Sequence, residues 1–211
     1  MAALRSQMNP HFLFNSLNSI KDFIVSNQPR DAVKYLQKFS ELIRAILENS
    51  KEKNISLERE LDTVKLYADL EALRYGGKFS IEVSVDEQLE PSRMQVPPLV
   101  IQPYVENAIW HGLIPKESKG KITIKCTKEG DQALIQIEDD GIGRQASMKR
   151  KEASVMKRKS MGMSITRERI QLAGGAKDND SVLQIEDLVD DEGKALGTRI
   201  NMRLNVNLEP A

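Results

Sequence analysis

The chain has 211 residues, with 31 Lys plus Arg against 31 Asp plus Glu, so its formal charge is zero and no global attraction to nucleic acid or to an anionic membrane operates. One cysteine, Cys126, and two histidines exclude an internal disulfide and a Cys/His zinc cluster, and make a reducing compartment the default. At 23.8 kDa it is one large domain or two small ones; its longest apolar runs, such as Val96 to Ile101, fall far below the ~20 residues of a membrane span, and no signal peptide precedes them, so this chain is expected to be soluble although it could be cut from a membrane protein.

A helical period opens the chain. Leu13, Leu17, Ile20 and Ile24 recur at spacings of four, three and four, and after the Ser26-Asn27-Gln28-Pro29 turn signal the pattern resumes at Ala32, Leu36, Phe39, Ile43 and Ile46. This predicts a helical hairpin. Two such helices cannot bury both stripes against each other, so a second copy is the expected cover, giving a homodimeric four-helix bundle. A third helix is predicted from a Ser56 cap, with Glu58 and Glu60 in its first turn, to Gly76-Gly77.

From Lys78 the period changes to two: Phe79, Ile81, Val83 and Val85, then Ile122, Ile124 and Cys126, then Ile135 and Ile137 beyond Gly130-Asp131. Pro97-Pro98 is predicted to open an apolar helix running to about Gly112. Another helix is predicted around Ser164 to Ala173, and strands near Val182–Leu188 and Thr198–Val206. The order implies an α+β layer, a mixed or antiparallel sheet with helices on one face.

Several segments carry chemistry. Asn9-Pro10-His11 joins a favoured cap to proline at a first helical position, which puts His11 in the first turn of the hairpin or at a proline kink in a longer helix. The positive helix end there disfavours imidazolium and leaves a lone pair for attack on an electrophile, although a lone histidine is often a cap or a core-edge residue. Asn15 and Asn18 share its face at i+4 and i+7. Glu138-Asp139-Asp140-Gly141-Ile142-Gly143 follows a strand: a carboxylate there can accept from an exocyclic amine while glycines admit close backbone approach, or the run is ordinary turn chemistry. Arg144, Lys149, Arg150, Lys151, Lys157, Arg158 and Lys159 then read as a cationic lid over phosphates or a solvated loop. Glu106, Asn107 and His111 are polar groups in an apolar helix, either a satisfied network or a Mg²⁺-phosphate site with an amide oxygen as hard ligand.

Together these segments resemble one family over nearly the whole chain. Leu4-Arg5-Ser6-Gln7-Met8-Asn9-Pro10-His11-Phe12-Leu13-Phe14-Asn15-Ser16-Leu17-Asn18-Ser19-Ile20 is similar to the phosphoacceptor box of LytS-like sensor histidine kinases. Val96 to Pro103 with Val105-Glu106-Asn107-Ala108 and His111-Gly112 resembles the family's N box, Asp139 to Gly143 its first glycine box, Met161 to Ile170 its second, and Gly197-Thr198 its terminal one. The resemblance implies a dimerisation and phosphotransfer hairpin over 1–55, a connecting helix over 56–77 and, over 78–211, an α/β sandwich ATP-binding domain of the gyrase, chaperone, kinase and mismatch-repair superfamily.

Carried over, it implies phosphorylation of His11, Mg²⁺ on Asn107, reading of the adenine amine by Asp139, and an ATP site that includes His111, Gly141, Gly143, Gly162 and Thr198. Two positions depart from the family pattern: Ser160 stands where the second glycine box usually has its first glycine, and Pro103 stands four before the Mg²⁺ asparagine. Phe12 occupies the place where many histidine kinases carry an acid, which makes Glu106 a candidate base; it could equally form a buried ion pair with Arg74 or Lys65. The expectation is a cytoplasmic catalytic core of a bacterial inner-membrane sensor that passes the phosphoryl group to a response regulator, in this family often one with a LytTR-type DNA-binding domain, without itself contacting nucleic acid or membrane. The alternative is a nucleotide-binding dimeric scaffold that gates a partner without phosphotransfer.

Overall fold

The computed structural model describes residues 10–130, 132–153 and 182–205. Helices α1 (Pro10–Val25) and α2 (Pro29–Asn49) form the hairpin. Helix α2 opens on a proline, whose missing N–H would have no helical partner there anyway. Asn27 ends α1 in the left-handed region (φ 55°), and Gln28 N closes onto Phe23 O at 2.8 Å.

The apolar stripe read from α1 is its inward face only in part: Ile20 packs against the core and Leu13 is half-buried. Ser16 and Ser19 are buried, whereas Leu17 and Ile24 stay exposed. The small serines let α1 approach α2 closely: the Tyr35 hydroxyl donates to Ser16 Oγ at 3.4 Å, and Phe12 and Phe23 rest on the Phe39 and Tyr35 rings. Phe14, Leu17, Ile24 and Val25, with Val33 and Leu36 of α2, are left as exposed apolar side chains.

Strand β1 (Ile55–Ser56) leads into α3 (Leu57–Arg74), capped as expected by Ser56 Oγ, which accepts from Arg59 N at 3.2 Å. Gly76 and Gly77, both at positive φ, stop the helix, and Gly77 N reaches back to Ala72 O at 2.8 Å. Leu57, Leu61, Val64, Ala68 and Leu70 of α3 join one continuous core with the sheet.

The main sheet contains β2 (Phe79–Val85), β4 (Gly120–Glu129), β5 (Gln132–Asp139), β6 (Leu183–Val189) and β7 (Ala195–Asn205), ordered β2-β4-β5-β7-β6. β2 runs parallel to β4 and the other pairs are antiparallel. Alternation sends Ile122, Ile124, Cys126, Ala133, Ile135 and Ile137 into the core, while the opposite face carries pairs such as Arg199–Glu138 at 2.8 Å and Gln136–Asn201 at 3.0 Å. A helical hairpin followed by a mixed sheet with helices on one face is the α+β architecture expected.

The double proline does not open the next helix. β3 (Gln95–Val96) pairs with β1, residues 97–101 turn, and α4 (Gln102–Asn107) continues into a π-helical turn, Ala108–Leu113, in which Ile114 N donates to Ile109 O at 2.9 Å. Residues preceding a proline disfavour the α region, and Leu99 sits at φ 60° because Glu60 of α3 takes its amide. The cationic stretch read without a period is helical in its first part, α5 (Gly143–Ala153). The helix expected at Ser164 to Ala173 lies outside the described residues, as do Ser160, Gly162, Lys157, Arg158 and Lys159.

Candidate active site

Alternation carries β5 inward through Ala133, Ile135 and Ile137 to a fourth inward side chain, and that one is Asp139. Its neighbours in the acidic run are ion-paired: Glu138 with Arg199 at 2.8 Å, and Asp140 with Lys116 at 3.0 Å. Asp139 makes no ion pair among the described residues; its Oδ1 accepts only the Gly141 amide, at 2.9 Å. Burial pushes its carboxyl up to about 6, against the pull of that amide. A buried carboxylate aligned by backbone and not neutralised by a cation is suited to receive a neutral N–H donor.

The surroundings are closed by backbone. A Cβ on Gly141 would lie 2.5 Å from Gly112 Cα, and Ile142 N donates to Gly112 O at 3.1 Å, so the loop after β5 lies directly against the π turn. Gly197 of β7 would, with a Cβ, overlap the Asp139 carbonyl oxygen, and Thr198 is the cross-strand partner of Asp139. The structure thus brings Asp139, Gly141, Thr198 and the turn bearing His111 to one place. Gly143 opens α5 beside them.

Asn107 closes α4. Its Nδ2 donates to Pro103 O at 2.8 Å, which fixes the amide and leaves Oδ1 as its acceptor. Among the described residues no group of three or more His, Cys, Asp or Glu side chains could hold a metal. Mg²⁺ takes few protein oxygens and completes its shell with waters and substrate phosphates, so a single amide oxygen fits that ion only together with a polyphosphate.

The alternative ion pair of Glu106 with Arg74 or Lys65 is not formed among the described residues. Glu106 Oε1 accepts from Gln102 Nε2 at 2.8 Å, one turn back on its own helix, while Arg74 pairs with Glu71. Burial pushes the Glu106 carboxyl up. Arg144 is also committed: its bidentate contact with Asp187, at 2.6 and 2.8 Å, ties α5 to β6, and Arg150 Nη1 donates to Pro115 O at 3.1 Å. These two cations hold α5 in place, so they are not loose lid charges. His11 lies on a different set of elements, in the first turn of α1; its neighbour Phe12 sits 5.4 Å from the Tyr67 ring of α3.

Residues 98–208, more than half the chain, match the family described as "Histidine kinase-, DNA gyrase B-, and HSP90-like ATPase", and residues 1–79 match "Histidine kinase". The chain belongs to the sensor histidine kinases. It is 35% identical over 176 residues to Sensor histidine kinase YpdA of Escherichia coli (strain K12), covering 83% of this chain and 30% of that protein. Sensor protein LytS of Bacillus subtilis (strain 168) is 33% identical over 141 residues, covering 67% of this chain and 23% of LytS. This kinase chain therefore spans less than a third of the length of these relatives. In fold it is similar to the Erythrobacter litoralis EL346 blue-light activated histidine kinase, with a TM-score of 0.51 at 16% identity over 93% of this chain and 58% of that one. The ATPase match includes Asn107, His111, Asp139, Gly141, Gly143, Gly162 and Thr198 within its span, and the histidine kinase match includes His11. No helix among the described residues of this kinase is long and apolar enough to cross a membrane.

Gly112 and Gln102 fall within the segment that resembles the N box, but the sequence alone assigns neither a role. Both stand beside residues it named, Gly112 after His111 and Gln102 one turn before Glu106, but their roles are contacts that spacing alone does not express.

Proposed function

We propose that this kinase transfers the γ-phosphoryl group of ATP to His11 and passes it on to an aspartate of a response regulator. The observation that carries the reading is Asp139, a buried carboxylate with no ion pair among the described residues, set by the Gly141 amide where glycines let the loop after β5, the π turn and β7 meet backbone to backbone. In this assignment residues 1–55 are the dimerisation and phosphotransfer hairpin, 56–77 the connecting helix and 78–211 the catalytic domain. Asp139 accepts the adenine exocyclic amine. Gly141, Gly143 and Gly162 admit the nucleotide to the backbone, and Thr198 and His111 flank it. Asn107 Oδ1 would hold Mg²⁺, which supplies charge neutralisation to the triphosphate.

His11 reacts as the neutral imidazole, in which one ring nitrogen carries a lone pair. That lone pair forms the N–P bond. The bond from the γ-phosphorus to its bridging oxygen breaks, and ADP leaves with the electron pair. The imidazole N–H proton goes to a base, assigned to Glu106, which Gln102 orients and burial makes more basic. Positioning of the reacting groups supplies most of the rate. The exposed side chains of Phe14, Leu17, Ile24, Val25, Val33 and Leu36 support a dimer through the hairpins. The response regulator, of a type with a LytTR DNA-binding domain, receives the phosphoryl group, and the chain is the cytoplasmic part of a membrane-anchored sensor.

Incubation with γ-labelled ATP and Mg²⁺ tests the reading. Acid-labile, base-stable label on the protein is the expected result. Tight nucleotide binding with no label would contradict it.

A further inference from the structure

Between the hairpin and α4 stands a cluster that the phosphotransfer steps above leave unused. Glu71 of α3 is wholly buried; its Oε2 meets Arg74 Nη1 at 3.5 Å, and its Oε1 has no hydrogen-bond partner among the described residues. Burial pushes the Glu71 carboxyl up to about 7, against the pull of Arg74, so this long contact neutralises the guanidinium only in part near neutrality.

Arg74 spends its faces elsewhere. Its guanidinium carbon lies 5.1 Å from the centre of the Tyr75 ring and 5.3 Å from that of Trp110, and the two rings meet edge to face at 6.0 Å. Trp110 belongs to the π turn that follows Asn107 and contains His111, so the seating of the indole and that of both residues are one geometry. A planar, weakly hydrated guanidinium can stack on rings and still keep donors at its edge, which an ammonium group cannot.

On its other side Arg74, with Tyr75, walls a cleft of about 300 Å³ whose facing wall includes Asn15, Asn18, Ser19 and Asp22 of α1. Asn15, Asn18 and Asp22 follow His11 at i+4, i+7 and i+11, which is the face of α1 that bears the acceptor. One cation therefore lies against the sole indole of the nucleotide helix and opens onto the acceptor face of the hairpin.

We propose that Arg74 is a positioning residue of autophosphorylation: through Trp110 it holds the Asn107–His111 turn in register with the His11 face of α1. The proposal rests on the reading that His11 is the acceptor. Steady-state labelling of the full chain at varied ATP, together with fluorescent-nucleotide binding and thermal melting, tests it. Arg74→Lys is expected to lower kcat for His11 labelling about 10–100-fold, with nucleotide affinity within about twofold and Tm nearly unchanged. Trp110→Phe keeps a ring beside the cation and is expected to lose less. The double variant Arg74→Lys/Trp110→Phe should be no slower than Arg74→Lys alone, because both changes act on the same contact. Trp110 is the only tryptophan of the chain, so its emission should shift in Arg74→Lys before any nucleotide is added.

An unchanged labelling rate in Arg74→Lys, or additive losses in the double variant, would overturn the proposal. A loss shared equally by affinity and Tm would make Arg74 a prop of the fold and overturn it as well. A wild-type chain that binds nucleotide but never labels His11 defeats the acceptor reading itself, and that result is separate from any behaviour of Arg74.

Discussion

Asp139 differs from Glu138 and Asp140 in what surrounds it, and the consequence can be stated with its sign. Its carboxyl titrates near 6 in the folded chain against an ordinary 3.8, so between those values the folded protein holds a proton that the unfolded chain has released. The stability this group contributes is full below about pH 4 and lost as pH rises through about 6. Adenine recognition needs the ionised form, so nucleotide affinity should rise through the same interval and level off above it. Asp139→Asn removes both effects. At pH 7.5 the variant without nucleotide should gain about 1–3 kcal/mol, a Tm increase of several degrees, while ATP affinity falls roughly ten- to a hundredfold because a charged hydrogen bond is lost. Calorimetry and nucleotide titration across pH check this together. A variant that binds ATP normally removes Asp139 from the site.

At the scale of elements, Glu60 joins α3 to the approach of α4. Its two carboxylate oxygens accept the amides of Leu99 and Ile101, each at 2.9 Å, inside the core. Glu60→Ala leaves two buried donors without partners, a cost on the order of 2–6 kcal/mol at about 1–3 kcal/mol each, and should lower Tm by roughly 5–20 °C. A fragment beginning at Asn54 should fold and bind nucleotide, whereas one beginning at Lys78 lacks this support and should not. Equal nucleotide affinity of the two fragments would show that the domain does not need α3.

What the sequence discloses about these elements follows from the range of the interactions that set them. Helix ends written by local chemistry were legible: Asn27, the Ser56 cap, Gly76 with Gly77. So was the alternation of β4 and β5, whose phase also identifies Asp139 as inward-facing. The turn at Leu99 was not, because the carboxylate that makes it lies 39 residues away. The helical start of α5 escaped for the same reason, since Arg144 is held by Asp187 from 43 residues further along. On α1 the periodic leucines hid part of the inward face, because close helix approach selected the serines.

The whole molecule exposes apolar surface where a monomer has no use for it. Leu17 is 56% exposed and Leu36 48%, on neighbouring helices of the hairpin. Leu17→Glu should therefore leave the fold of one chain intact while converting the proposed dimer to monomers, as read by sedimentation, with Tm of the monomeric unit nearly unchanged. A variant that remains dimeric would place the interface elsewhere. On the proposed reading the hairpin has two working faces, an apolar one for a second copy and one bearing His11, while the proposed nucleotide residues lie on a separate set of elements. Such a division requires that His11 be dispensable for nucleotide binding and indispensable for phosphotransfer. Mass-spectrometric localisation of the phosphoryl group after incubation with ATP and Mg²⁺, handled without acid, tests this most directly. The account predicts modification of the peptide containing His11 in the wild-type chain and none in His11→Gln, with nucleotide affinity of the variant within about twofold of wild type. Modification at His111 or at any other side chain, or retention of the phosphoryl group in His11→Gln, would contradict it.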